Sequence, residues 1–502
     1  MVYKMTTIKV HNAFSYFSMN ISEAKLKVIN EAVSYLVADT FWIRKRTGRF
    51  VPEKISMLKK HYNKDKKFCG YYFPTGLLDD VCNVLADVYV EDKRDYSDAP
   101  TTMPDFQQFV CSDIQLRKDQ LWCLKKMYKH HNGILSAPTG GGKSAIASTF
   151  IKAYDLPTVV LIPSKELLHQ TRSMYARYME VDEDEIGFIG DGVFEPRKFN
   201  VVSVPTLRER VEFLRYGKVS CPDNDLKKLI KETRVLISDE AHRVGKNTFY
   251  DCAVLFRNAA YRFGMSATPW SRADKISIML KGSFGPTIAE VTPDVLMTAG
   301  IIAIPDIIMY RPGGVKLNGR LKWAEAYSTG IVFNDRRNAI IIELIKKHLG
   351  QKQLVLFERK NHGLTLSRLL DHEGIKHRLL WGDVDGKERA AAREEFKNGD
   401  LDIIIGSKIF ETGVDLPDLA VLIRADGYKA ETKVIQGAGR ALRATDTKKR
   451  AIIYDFYDDH QRILEKHSAA RLHCYKDYYT LANIETIDYE TGKHFILTKG
   501  RR

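Results

Sequence analysis

The sequence predicts an α/β chain: two parallel-sheet domains in tandem, behind a small α+β domain and ahead of a short helical extension. Three observations carry that reading. Short apolar runs alternate with helical stretches across 107–300, and the alternation repeats across 301–458. Alternation of this kind means a parallel sheet covered by helices. A glycine-rich loop ending in Lys143-Ser144 stands between an apolar run and a helix in the first copy and has no counterpart in the second. A further apolar run of the first copy ends in Asp239-Glu240.

Composition bounds the rest. The chain has 502 residues, enough for about three domains of roughly 150 residues each. Hydrophobic residues make up 44%, which fills packed cores and excludes a disordered chain. No apolar run reaches the roughly 18 residues that a membrane helix needs. The start, Met1-Val2-Tyr3-Lys4-Met5, lacks the apolar core of a signal peptide. Seven scattered cysteines form no C-x-x-C pair, which argues against a disulfide framework and a zinc site and fits a reducing cytoplasm. The net charge of +15 points to a polyanionic partner, most simply nucleic acid.

The elements follow in order. In the first piece, 1–106, residues 6–10 read as a strand and 22–36 as an amphipathic helix. Arg44, Lys45, Arg46, Arg49, Lys54, Lys59, Lys60, Lys64, Lys66 and Lys67 then crowd one segment, opposed between Arg44 and Lys67 only by Glu53 and Asp65. Trp42, Phe50, Tyr62, Phe68, Tyr71, Tyr72 and Phe73 are interleaved or adjacent. Basic residues that track a backbone, beside rings that stack on bases, suit a nucleic-acid surface; a solvated charged face with core aromatics is the plainer alternative. The candidates for contact are Arg44, Lys45, Arg46, Lys59, Lys60, Lys66 and Lys67. Residues 95–104 read as a linker.

The second piece, 107–300, carries apolar runs at 133–136, 159–162, 201–204, 235–237 and 261–265. The first leads into Ala137-Pro138-Thr139-Gly140-Gly141-Gly142-Lys143-Ser144, and a helix follows. Backbone N–H groups of such a turn, with the positive end of the helix, cradle a phosphate. Thr139, Gly140, Gly141 and Gly142 would form that cradle, Lys143 would reach the outer phosphates and Ser144 would ligate Mg²⁺. Asp239, at the carboxyl end of its strand, is placed to hold the same Mg²⁺, and Glu240 to orient and deprotonate an attacking water.

The third piece, 301–458, has runs at 354–357, 378–381, 403–405, 421–423 and 452–454. Gln436-Gly437-Ala438-Gly439-Arg440-Ala441-Leu442-Arg443 lies late in it. Arg440 and Arg443, three apart, share a helix face. Arginine aimed at a γ-phosphate stabilises transition-state charge by roughly 10³- to 10⁵-fold. Gln436, Arg440 and Arg443 are therefore candidate catalytic residues beside Glu240. Residues 459–502 are basic and expected to begin as a helix.

In order, Leu116-Arg117-Lys118-Asp119-Gln120, the 137–144 loop, Pro163-Ser164-Lys165-Glu166-Leu167, Val204-Pro205-Thr206, Asp239-Glu240-Ala241-His242 and Ser266-Ala267-Thr268-Pro269 resemble the first motor domain of a superfamily 2 helicase. Ile405-Gly406-Ser407, Thr412-Gly413-Val414-Asp415-Leu416-Pro417 and the 436–443 block resemble the second. The resemblance implies two RecA-like motor domains that use ATP. It implies that Arg117 and Gln120 recognise adenine and that Asp415 contacts the nucleotide ribose. It further implies that His242, Ser266 and Thr268 couple the nucleotide site to the nucleic-acid grip, and that Ser164, Thr206 and Ser407 contact a phosphate backbone.

Residues 42–50 and Tyr71-Tyr72-Phe73-Pro74-Thr75-Gly76-Leu77-Leu78 resemble the small N-terminal domain of bacteriophage UvsW-type helicases, which reverse forks and migrate junctions. The Trp-Asp-Gly of that pattern is replaced near residue 47 by Arg46-Thr47-Gly48-Arg49. The implied function is an ATP- and Mg²⁺-dependent DNA helicase or translocase acting on branched DNA in recombination, repair or replication. Its place would be the cytoplasm, that of a bacterial host if the gene is a phage's. An RNA helicase with the same motor, and a nucleotide-binding clamp without turnover, remain as alternatives.

Overall fold

The computed structural model describes residues 5–17, 21–37, 40, 44–45, 48, 50, 52–85, 87–216, 223–245, 247–270, 277–314, 316–407, 416, 418–442 and 448–495. They gather into two compact units, which divide near residue 291, apart from Pro138–Gly141, which group with the second.

The first unit opens with a five-stranded sheet. Its strands are β1 (Thr6–Val10), β2 (Phe14–Phe17), and, after the short ladder of β3 (Ser34–Leu36) with β4 (Lys54–Ser56), β5 (Lys59–Tyr62), β6 (Phe68–Pro74) and β7 (Val88–Asp92). The order is β5-β6-β2-β1-β7, with β1 and β7 parallel and the other neighbours antiparallel. Alternation puts Ile8, Val10, Phe17 and Phe73 on one face. The helix Glu23–Ala32 covers that face with Ile29, and Leu77, Val81 and Met279 join the same core. The helix expected over 22–36 stops at Ala32. Ser34–Leu36 pairs instead with Lys54–Ser56, because Tyr35-Leu36-Val37 suits a strand once a partner edge is present.

This small sheet is bolted to the large one. Lys281 Nζ lies 2.7 Å from Asp80 Oδ1, and a Cβ on Gly76 would stand 1.9 Å from the Lys281 carbonyl, so only glycine permits the approach. The expected linker is anchored too: Arg234 Nε reaches Asp98 at 2.6 Å and the Tyr261 hydroxyl donates to Asp98 at 3.1 Å.

The large sheet of this unit holds β8 (Asn132–Ser136), β9 (Thr158–Ile162), β10 (Ile186–Gly190), β11 (Val193–Glu195), β12 (Phe199–Ser203), β13 (Val235–Ser238), β14 (Tyr261–Ser266) and β15 (Thr287–Glu290). The order is β11-β10-β12-β9-β13-β14-β8-β15, parallel throughout apart from β11 at the edge. The runs are mostly apolar because helices bury both faces. Arg262 is buried on β14 without a carboxylate. Its guanidinium donates to the carbonyls of Ser283 (2.9 Å), Phe256 (2.8 Å) and Ala253 (2.8 Å), and burial pulls its pKa down to about 10.

The second unit is a seven-stranded, all-parallel sheet: β16 (Ile304–Arg311), β17 (Gln353–Leu356), β18 (Arg378–Leu380), β19 (Ile403–Gly406), β20 (Val421–Arg424), β21 (Arg450–Phe456) and β22 (Asn483–Asp488). Its order is β18-β19-β17-β20-β21-β16-β22. The C-terminal extension begins with the expected helix, Arg462–Tyr478, but then adds β22 to the sheet beside β16. Arg471, on that helix, is buried against Asp455 at 3.0 Å, and Arg337 against Asp458 at 2.9 Å. Mixed α/β structure with two parallel-sheet domains in tandem is thus the fold expected from the sequence. No helix among the described residues is long and apolar enough to cross a membrane.

Candidate active site

Three loops leave the carboxyl ends of the adjacent strands β13, β14 and β8, the edge where open α/β sheets bind ligands. The loop after β8 is the glycine-lysine loop. Gly140 (φ +83°) and Gly142 (φ +81°) hold left-handed conformations, and Gly142 starts the helix Lys143–Tyr154 without a side-chain cap. The Lys143 Nζ donates to the Ala137 carbonyl at 2.9 Å, which folds the ammonium over the loop.

Gln120 is buried against this loop. Its Oε1 accepts the Arg117 N–H at 3.0 Å, and a Cβ on Gly142 would stand 2.2 Å from its Nε2. Arg117 is braced by Asp119 through two hydrogen bonds of 3.0 and 2.9 Å. Arg117 and Gln120 are the candidates the sequence offers; Asp119, which fixes the guanidinium's direction, is not among them.

The loop after β13 carries both acids. Asp239 is half-buried, and its Oδ1 accepts the Glu240 N–H at 2.9 Å. Burial, then the charge of Glu240, pushes the Asp239 carboxyl up to about 6, against the pull of Lys143. Tyr175, also missed in the sequence, is buried near Asp239, and its hydroxyl is pushed up by burial and by that charge. Glu240 sits at φ +49°, a conformation that costs a non-glycine residue about 1–3 kcal/mol and gathers at functional sites.

Among the described residues no cluster of His, Cys, Asp and Glu could hold a metal alone. The Ser144 hydroxyl and Asp239 carboxylate are hard oxygen donors. They suit a Mg²⁺ that keeps its waters and shares substrate phosphates, and its charge would offset the acids' repulsion.

The third loop joins the other two. Ser266, ending β14, accepts the Ala137 N–H on its carbonyl at 3.0 Å and the Thr268 N–H on its Oγ at 3.1 Å. The same Oγ is 3.0 Å from His242 Nδ1, which is 3.3 Å from Glu240 Oε2. One serine therefore ties the glycine-lysine loop, through His242, to the loop of both acids. His242, Ser266 and Thr268 are brought together by these bonds.

Ser164 and Thr206 follow β9 and β12, neighbours in the sheet, at the same edge. Ser407 follows β19 in the second unit, buried, with its N–H on the Leu380 carbonyl at 3.0 Å. Gln436 is buried on the helix Glu431–Ala441. Arg46, Asp415, Arg443 and the side chain of Arg440 lie outside the described residues.

The basic segment is not one continuous loop. Arg44 lies 4.8 Å over the Phe50 ring, Lys45 is exposed, and Lys66 (φ +59°) and Lys67 sit exposed in a hairpin turn. Lys59 and Lys60 are consecutive on the edge strand β5 and so point to opposite faces.

Comparison with known proteins agrees with this geometry. The family model "Type III restriction enzyme, res subunit" matches residues 103–271 and "Helicase conserved C-terminal domain" matches 336–445, together more than half of the chain. The chain is 26% identical to the ATP-dependent DNA helicase uvsW of Enterobacteria phage T4, over 68% of this chain and 72% of that protein. It is 22% identical to the DNA 3'-5' translocase XPB2 of Sulfurisphaera tokodaii, over 66% and 80%. Among solved structures, S. cerevisiae Dbp5 bound to RNA and ADP BeF3 shares the fold, with a TM-score of 0.52, 16% identity, and coverage of 74% and 89%.

Proposed function

We propose that this chain, which belongs to the superfamily 2 helicases, is an ATP- and Mg²⁺-driven DNA motor that remodels branched DNA. ATP is the nucleotide expected for that family. One observation carries the reading: Ser266 links the lysine loop to His242, and His242 to Glu240, at adjacent strand ends; we assign to this link the coupling of the phosphate to the edge that carries Ser164 and Thr206.

Lys143 and the loop N–H groups bind the phosphates, while Gln120 and Arg117 take the adenine. Mg²⁺, held by Ser144 and Asp239, would supply charge neutralisation at the outer phosphates. Glu240 accepts a proton from water as the water oxygen bonds to the γ-phosphorus. The bond from that phosphorus to the β–γ bridging oxygen breaks, and ADP leaves with the electron pair. Gln436, Arg440 and Arg443 are assigned to the developing charge, and Asp415 to the ribose. Ser164, Thr206 and Ser407 are assigned backbone phosphates, which position a strand without reading its sequence. The N-terminal domain, to about residue 106, is assigned DNA binding. The work would be done in a cytoplasm.

The DNA assignment draws on the relatives' names, DNA helicase and DNA translocase, and the preference for branches on the resemblance of residues 42–50 and 71–78 to the N-terminal domain of UvsW-type helicases. The test is ATP-driven processing of a fork, a four-way junction, a plain duplex and an RNA duplex in one titration. Preference for fork and junction supports the reading. Equal or better processing of the RNA duplex overturns it.

A further inference from the structure

We propose that the outer face of the N-terminal sheet is a stacking platform for the unpaired bases of single-stranded DNA; the proposal rests on the reading of the chain as a DNA motor. Cross-strand register sets one row of side chains across the sheet. Lys59 on β5 pairs with Tyr72 on β6, Tyr72 with Tyr16 on β2, and Tyr16 with Lys9 on β1. Paired residues share a face, and this is the face opposite the core of Ile8, Val10, Phe17 and Phe73.

The rings form a continuous group. Tyr16 and Tyr72 centroids are 5.8 Å apart, His61 meets Tyr16 edge-on at 5.1 Å, and Phe14 meets Tyr72 at 5.2 Å. Arg257, from the loop before β14, holds its guanidinium 5.4 Å from the Phe14 ring centroid. Lys9, Phe14, Tyr16, His61 and Arg257 line an open cleft of about 790 Å³.

The chemistry selects the ligand. Aromatic rings bordered by cations stack on bases and hold the phosphates between them, by about 1–3 kcal/mol per stacked base. A duplex hides its base faces, so the platform can use them only on a single strand. Lys59 to Lys9 spans three strand spacings, about 14 Å, the length of roughly four nucleotides at the 3.4 Å rise of a stacked strand. An edge lysine such as Lys59 also guards against strand pairing. Lys9 has no such duty, since β1 lies between β2 and β7. The carboxylate of that row is Glu91, opposite Lys9, and it is already paired with Lys93.

The test uses the full chain and a fluorescein-labelled oligo(dT) of fifteen nucleotides, read by anisotropy without ATP beside a blunt duplex. Tyr16→Leu keeps apolar bulk but removes the stacking face; Lys9→Gln removes a surface charge. Tyr16→Leu should weaken single-strand binding by roughly 5- to 150-fold, the equivalent of one lost stack. Lys9→Gln should weaken it less, and duplex affinity should change by under twofold in both. Photo-crosslinking of 5-iododeoxyuridine oligo(dT) to the wild-type protein should place adducts on Tyr16 or Tyr72, which decides the case even if Tyr16→Leu fails to fold. Adducts confined to other rings, or unchanged single-strand affinity in a folded Tyr16→Leu, overturn the platform. DNA-stimulated ATP hydrolysis by the wild type, measured alongside, separates that failure from failure of the motor reading.

Discussion

Gly142→Ala should cripple nucleotide binding while leaving the fold nearly intact. Two costs meet at this position. The residue holds φ +81°, where an alanine pays about 1–2 kcal/mol. Its new methyl would stand 2.2 Å from Gln120 Nε2, so the Gln120 amide must move. That movement breaks its hydrogen bond to the Arg117 N–H, a further loss of about 0.5–1.5 kcal/mol. The loop escapes the strain by changing shape, and nucleotide binding must restore it. The cost of about 1.5–3.5 kcal/mol therefore falls on ATP affinity, a loss of roughly 12- to 320-fold. The assay is titration with a fluorescent ATP analogue, with a thermal melt as control. Gln120→Ala in the same chain should recover the clash but not the backbone term, so the two substitutions should be less than additive. Unchanged affinity in Gly142→Ala, or strict additivity with Gln120→Ala, would refute the reasoning.

Three further outcomes are expected. Ser266→Ala removes the hydroxyl shared by His242 and the Thr268 N–H, so the ratio of ATP hydrolysis with DNA to that without should fall at least about tenfold; an unchanged ratio would sever the proposed link. Arg262→Met leaves the buried Ser283 and Ala253 carbonyls unpaired, while the Phe256 carbonyl keeps the Ala259 N–H, a loss of about 2 kcal/mol or more, which should lower the melting temperature by roughly 4–8 °C; a drop under about 2 °C would contradict it. His362 is buried with its Nε2 2.9 Å from Asn338 Oδ1, and burial pulls its pKa down to about 3. It is neutral in the fold but takes a proton near pH 6.5 when unfolded. Its contribution is full above that pH and is lost as pH falls toward 3, with a slope of up to about 1.4 kcal/mol per pH unit. Chemical unfolding of His362→Gln should show a shallower pH slope between pH 6 and 4 than wild type; equal slopes would count against the assignment.

What could be read from the sequence was what lies contiguous in it. The lysine loop, Asp239-Glu240 and Ser266-Ala267-Thr268 each spell their chemistry in adjacent letters, and β9 and β13 announce themselves as unbroken apolar runs, whereas the equally buried β10 is broken by Gly187 and Gly190 and went unread. The helix Glu23–Ala32 was overextended because Tyr35 and Leu36 prolong the apolar pattern, while the strand that claims them lies about twenty residues away. β16 and β22 went unread because they carry polar residues at intervals and sit toward one side of their sheet. Gln120 against Gly142 and the Lys59–Tyr72–Tyr16–Lys9 row are products of register and packing. No local pattern announces them. Arg262 looked like an ordinary strand residue because its three acceptors are main-chain carbonyls, which leave no mark in a sequence.

The proposed motor requires Glu240 to be the base at a working nucleotide site. ATP hydrolysis in the presence of DNA, compared between wild type and Glu240→Gln, tests that most directly. The amide cannot take the water's proton, so turnover should fall by about 10²- to 10⁴-fold while the variant still binds nucleotide. Turnover within a few-fold of wild type would mean that the acids after β13 do something else.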